Sequence, residues 1–188
     1  SKTMARRYPQ LSDEHIEFIA HQKLYFVGTA ANGGTVNVSP KGYDSLKIIS
    51  PNKIVWLNFT GSGNETAAHL AENGRMTIMF CAFDGNPKIL RLYGTARAIH
   101  PHDTEWDELA SLFELQEGAR QYVEFEIELV QTSCGFGVPF YEFQEERDNM
   151  DKWINAKGEQ GIKDYWRDKN QVSLDGLATH ILEDEKEF

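Results

Sequence analysis

Hydrophobic and polar positions alternate through most of the first two thirds of the chain with the two-residue period of strands. "KLYFVGTA" (23–30), "ANGG" (31–34) and "TVNVSP" (35–40) read as strand, glycine turn, strand. "SLKIIS" (45–50) and "KIVWLNF" (53–59) repeat the arrangement around a Pro51-Asn52 turn. "RMTIMFCAF" (75–83), a "DGNP" turn at 84–87 and "KILRLYGTARAI" (88–99) continue the series, and "QYVEFEIELV" (121–130) alternates almost without fault. Helical signals interrupt and flank these runs. Ser12 followed by Asp13 and Glu14 predicts a capped helix over about 12–22, and further helices are expected over about 64–73 and 103–115. A last helical region, rich in charge and carrying Trp153, Tyr165 and Trp166, is expected after Pro139.

Six or so antiparallel strands with few long connections close most naturally into a small barrel, which removes exposed sheet edges. The expected architecture is mainly β, an α+β fold built on a six-stranded antiparallel barrel with flanking helices. A single domain over 1–188 is expected, with the barrel at about 23–133 and a helical extension at about 140–188 whose end, "EDEKEF", is solvated. A chain of 188 residues buries a sizeable core without disulfides or structural metal. Cys81 and Cys134 form no paired motif, and neither a signal peptide nor an apolar run long enough to span a bilayer is apparent. With 29 acidic against 19 basic residues, the formal charge of -10 argues against nucleic acid and anionic lipid as partners. A cytoplasmic protein is the resulting expectation.

The stretch "TGSGNETAAHLAENGR" (60–75) changes the picture, because a strand is followed by two glycines, small polar residues and a helix start almost bare of bulky side chains. A helix start leaves backbone N–H groups unpaired and carries partial positive charge, so a loop without large side chains lets an anion approach those donors. Gly61 and Gly63 give access, and Ser62, Asn64 and Thr66 add side-chain donors. The competing reading is an ordinary N-cap by Asn64, which Glu65 favours, since a carboxylate in the first turn repels a phosphate unless it points away. "NVSPKGYD" (37–44) ends a strand with Ser39, Lys41 and Asp44, and Lys41 could pair with phosphate or with negative charge on a reduced ring. Arg91, set among apolar neighbours, needs a partner or an aqueous face.

His100 and His102 share a strand face without a third ligand in view, and Cys134 lies in a glycine loop without an adjacent base. Neither is taken as a site.

The order "FVGTA", "NVSPKGYD", "KIVWLNF", "SGNETAAHLAENGRMTIMF", "ILRLYG" and "TSCGFGVP" resembles the pyridoxamine 5'-phosphate oxidase-like family of FMN-binding split barrels, in a branch distinct from the vitamin B6 oxidase itself. The likeness runs from roughly residue 10 to 180. It implies a homodimer with FMN at the subunit interface. Lys41-Gly42-Tyr43-Asp44 stands where the B6 oxidases have a Lys-x-x-Asp segment touching flavin and substrate, and Trp56, Leu57 and Asn58 stand beside the flavin. Where those oxidases grip the phosphate with Ser-Arg-Lys, this chain has Asn64-Glu65-Thr66. The resemblance then implies a phosphate held by backbone N–H groups, Ser62, Gly63, Asn64, Glu65 and Thr66, with Ser39 near and more distant cations in Lys41, Lys88 or Arg91. The acidic end "ATHILEDEKEF" replaces a basic B6-substrate segment, so oxidation of pyridoxamine phosphate is not expected. The implied function is that of an FMN-dependent oxidoreductase acting on a small molecule. The alternative is a protein that binds or senses FMN, haem or a deazaflavin without turnover.

Overall fold

The computed structural model describes residues 5–114 and 117–182. Eight strands form one antiparallel sheet: β1 (Arg6–Tyr8), β2 (Tyr25–Thr29), β3 (Asn37–Lys41), β4 (Leu46–Ser50), β5 (Lys53–Phe59), β6 (Arg75–Cys81), β7 (Ile89–Ile99) and β8 (Ala119–Ser133). Their order is β3-β2-β6-β7-β8-β5-β4, with β1 paired to the far end of β8. The 15-residue β8 is the spine of the sheet and pairs with β7, β5 and β1. The mainly β architecture with flanking helices is as expected, but the sheet has eight strands rather than six; the extra pairing includes β1, too short to show a pattern.

The two ends of the sheet do not pair by backbone, yet they meet through side chains. Tyr25 Oη on β2 lies 2.8 Å from Ser45 Oγ, and Lys41 Nζ on β3 donates to Asn58 Oδ1 on β5 at 2.9 Å. The result is a barrel with a seam, and the seam runs beside Lys41. Tyr25, Val27, Ile54, Trp56, Ile78, Phe80, Leu90, Leu92 and Phe125 fill the interior. β5 is covered on both faces, since Val55 and Leu57 pack outward with Ile99, Leu109, Phe113 and Tyr122.

Helix α1 (Asp13–His21) starts at Ser12 in a reciprocal cap: Ser12 Oγ accepts from the His15 N–H, and His15 Nδ1 accepts from the Ser12 N–H. α2 (Glu65–Glu72) follows β5, as the small-residue loop implied. α3 (Trp106–Ala110) is shorter than the span expected over 103–115, because Asp103 turns back to accept from the His100 N–H at 2.7 Å; residue 115 lies outside the described residues. α4 (Asn149–Lys169) is two helical pieces joined at Gly158, where φ is 70°. Ile154, Ile162 and Trp166 on α4 pack with Ile181 and Leu182. The acidic end "EDEKEF" lies outside the described residues.

Three β-bulges or register irregularities shape the sheet, including one at Ile48/Ser50 between β4 and β5. Another falls at Tyr93/Gly94 against β8, and there a side chain at 94 would collide with the Glu126 carbonyl oxygen. Gly94→Ala is therefore expected to destabilise the fold by about 2 kcal/mol or more in urea unfolding, the cost of forcing a methyl against rigid backbone.

Candidate functional site

The bulge between β5 and β8 builds the site. Asn58 on β5 pairs with Gln121 on β8, but the next residue, Phe59, pairs with Ala119, so Arg120 is the extra residue. A bulge lets two consecutive side chains turn toward the same side. Both Arg120 and Gln121 are buried, and both reach the loop between β5 and α2.

Arg120 and Lys41 line one cavity of about 260 Å³ with Asn37, Ser39, Pro40, Asn58, Phe59, Gly61, Gly63, Asn64, Glu65 and Thr66. Among the described residues, the hydrogen-bond partners of both cations are neutral. Arg120 donates to the carbonyl oxygens of Gly61 (3.0 Å) and Gly63 (2.7 Å) and to Gln121 Oε1 (3.1 Å). Lys41 donates to Asn58 Oδ1 and stands 5.5 Å from the centre of the Trp56 ring. Burial pulls the Lys41 ammonium down to about 8, with the nearby Arg120 charge adding to the effect. Burial likewise pulls the Arg120 guanidinium down to about 10. Two neighbouring like charges, neither hydrogen-bonded to a carboxylate among the described residues, make a site that favours an anion.

The start of α2 faces the same cavity, and Asn64 does not cap it. The Asn64 amide instead accepts from Gln121 Nε2 at 3.0 Å and donates to the Asn170 carbonyl at 3.0 Å. The Glu65 carboxylate accepts from the Leu174 N–H at 2.9 and 3.1 Å, which turns its charge away from the loop. The first-turn N–H groups of α2 thus have no side-chain cap and add partial positive charge to that of the two cations.

Of the twelve residues singled out in the sequence, the structure gathers seven around this cavity: Ser39, Lys41, Asn58, Gly63, Asn64, Glu65 and Thr66. Ser62 is exposed on the same loop, where its carbonyl oxygen accepts from Asn170 Nδ2 at 3.4 Å. Trp56 and Leu57 are core residues on opposite faces of β5 and do not line the cavity. Lys88 and Arg91 lie elsewhere: Lys88 pairs with Glu14 at 3.4 Å, and Arg91 reaches Ser133 Oγ at 3.4 Å. Arg120 was not singled out. Its signal in the sequence is the pair Arg120-Gln121 between Ala119 and Tyr122, two polar residues in succession just ahead of the alternating run at 123–129.

His100 and His102 stack with ring centres 5.3 Å apart, and among the described residues no group of three or more His, Cys, Asp or Glu could hold a metal ion. No helix among the described residues is long and apolar enough to cross a membrane.

A sheet curled around an apolar core, with an anion-attracting cavity at its seam, defines the class of protein, and comparison with known proteins gives the family. The pyridoxamine 5'-phosphate oxidase family model matches residues 11–134. The pyridoxamine 5'-phosphate oxidase family protein ustO of Aspergillus flavus is 36% identical over 188 aligned positions, covering 90% of this chain and 76% of the fungal one. The chain belongs to the pyridoxamine 5'-phosphate oxidase family. Among solved structures, a Lactobacillus delbrueckii protein described as a candidate pyridoxamine 5'-phosphate oxidase superposes with a TM-score of 0.52 at 19% identity, covering 65% of this chain and 94% of that one. HupZ of Group A Streptococcus superposes with a TM-score of 0.51 at 18% identity, covering 63% and 91%. These two likenesses concern the fold alone.

The unpaired cations carry a cost for the ligand-free protein that can be measured. Between about pH 8 and the ordinary lysine value of 10.5, the folded chain binds fewer protons at Lys41 than the unfolded chain. The penalty is therefore full below pH 8 and is relieved as the pH rises through this window. Lys41→Met is expected to stabilise the ligand-free protein at pH 7 by on the order of 2 kcal/mol in urea unfolding, and to remove part of the rise in stability between pH 8 and 10.

Proposed function

We propose that this protein binds FMN, with the phosphate in the cavity formed by Lys41, Arg120 and the start of α2, and that it is an oxidoreductase. The observation that carries the reading is a pair of cations, Arg120 buried and Lys41 half-buried, whose hydrogen-bond partners among the described residues are all neutral, placed at a helix start that Asn64 does not cap. The donor set fits a phosphate monoester: a guanidinium, an ammonium and converging backbone N–H groups. The cavity is smaller than the roughly 300–1,000 Å³ of whole-ligand pockets. It suits the phosphate end of the molecule, and the ring system lies beyond it.

FMN, when bound, supplies hydride and electron transfer. The chain's own contribution is placement. Arg120, anchored on the Gly61 and Gly63 carbonyls, fixes the loop and faces the anion, while Lys41 closes the opposite wall. Lys41, expected either at the phosphate or at a reduced ring, is assigned to the phosphate because it shares the cavity with the α2 entrance. Family membership supports the redox role, and the net charge of -10 disfavours a second, phosphorylated substrate such as pyridoxamine phosphate.

A homodimer belongs to the same reading. Phe136, Phe140, Tyr141 and Phe143 are all exposed in the segment before α4, a concentration of aromatic surface suited to a partner copy. Light scattering on the purified protein is expected to give twice the chain mass; a monomer at micromolar concentration rejects this part of the proposal.

Titration followed by flavin fluorescence tests the cofactor. FMN is expected to bind at least about 100-fold more tightly than riboflavin, and Arg120→Ala to weaken FMN at least tenfold while leaving riboflavin unchanged, the scale of a charge-assisted contact. Equal affinity for FMN and riboflavin contradicts the reading. Rapid reduction of the bound flavin by NADH or NADPH supports the oxidoreductase assignment, and a flavin that neither donor reduces assigns the site to binding without turnover.

A further inference from the structure

Three amide side chains, those of Asn58, Gln121 and Asn64, each at most 2% exposed, connect Lys41 to the backbone carbonyl of Asn170 at the end of α4. Lys41 Nζ donates to Asn58 Oδ1 at 2.9 Å, and Asn58 Nδ2 donates to Gln121 Oε1 at 2.9 Å. Gln121 Nε2 donates to Asn64 Oδ1 at 3.0 Å, and Asn64 Nδ2 donates to the backbone carbonyl of Asn170 at 3.0 Å. An ammonium can only donate and a carbonyl can only accept, so each amide between them has a single orientation that satisfies both neighbours. The second donor at Gln121 Oε1, the Arg120 Nε–H at 3.1 Å, requires the same direction. Asn170 is itself fixed, since its Nδ2 donates to the carbonyls of Gly61 (2.9 Å) and Ser62 (3.4 Å) and its N–H donates to Trp166 O at 2.9 Å. Asn170 lies outside residues 11–134, so this arrangement is not part of what the family model matches.

We propose that the end of α4 is a positioning element of the anion site: the Asn170 carbonyl, acting through Asn64, Gln121 and Asn58 and reinforced by the Arg120 Nε–H, keeps an oxygen rather than an NH2 group facing Lys41. The proposal rests on the phosphate reading above only for its effect on FMN. Without the acceptor at the far end, Asn64 can turn, the Arg120 Nε–H is left as the remaining hold on Gln121, and Asn58 presents its oxygen to the ammonium less strictly. The charged form of Lys41 is then less well supported at Asn58 Oδ1, and neutral lysine binds phosphate poorly. The charged groups lining the cavity around Lys41 are Arg120 from β8 and Glu65 from α2, whose carboxylate is turned to Leu174; β5 contributes the neutral Asn58.

The test compares wild type with Asn64→Ala and Gln121→Met, which interrupt the line at two points, and with Thr179→Val. Thr179 Oγ1 donates to the same Asn170 carbonyl at 2.5 Å but stands outside the line. FMN affinity is measured from pH 7 to 9.5, and the Lys41 side chain is titrated by NMR in the ligand-free protein. In wild type and Thr179→Val, the Lys41 resonance is expected to titrate near 8 and FMN affinity to fall above that pH. In both interrupted variants the titration moves down by at least about half a pH unit, and FMN at pH 7 weakens at least about threefold. Unchanged Lys41 titration in a folded interrupted variant overturns the proposal, as does an equal shift in Thr179→Val. Absence of FMN binding in wild type overturns the phosphate reading instead, and the ligand-free titration still decides the role of Asn170.

Discussion

Two neighbouring cations, Arg120 buried and Lys41 half-buried, with neutral hydrogen-bond partners among the described residues, are the constraint on which the site depends. Lys41 and Arg120 come from strands at opposite sides of the seam, and each side chain is anchored by neutral oxygens rather than by a carboxylate. Carboxylate partners would make the ligand-free fold more comfortable but would also fill the site with its own counter-charge. Amide and carbonyl oxygens orient the cations without neutralising them, which leaves the electrostatic demand to be met by a ligand. The uncapped start of α2 adds to that demand, and Glu65, the carboxylate in the first turn, is held off by the Leu174 N–H.

The fold supplies this arrangement through two irregularities. The sheet stops short of closing, so that Lys41 at the end of β3 meets Asn58 across a seam instead of a backbone ladder. The bulge on β8 then brings Arg120 and Gln121 together toward the loop after β5, one as the second cation and the other as the hub of the buried amides. The segment after α4 completes the enclosure. Asn170 reaches the carbonyls of the glycine loop, and Asp175 accepts from the Thr35 N–H and hydroxyl at 2.8 and 3.0 Å, tying this segment to the β2–β3 hairpin.

Most of the framework was legible in the sequence because it depends on local signals. The hairpins follow from alternation and turn residues, α1 from Ser12, and the α2 entrance from the absence of bulky side chains around Gly61 and Gly63. The site was legible only where its residues are near in sequence to that entrance or stand at the end of a strand. Trp56 and Leu57 went to the core because β5 is covered on both sides, as its unbroken Ile54–Leu57 apolar run indicates. Arg120 escaped because a bulge breaks the two-residue phase from which facing is inferred. Asn170 escaped because nothing local marks a residue 106 positions from its partner Asn64.

The most direct measurement of the central claim is the position of the phosphate in a crystal structure of the protein grown with FMN. Phosphate oxygens are expected within hydrogen-bonding distance of Lys41 Nζ, the Arg120 guanidinium and the N–H groups that open α2. A phosphate bound elsewhere on the subunit, with Arg120 still engaged only by the Gly61 and Gly63 carbonyls and the α2 entrance holding solvent, would contradict the claim.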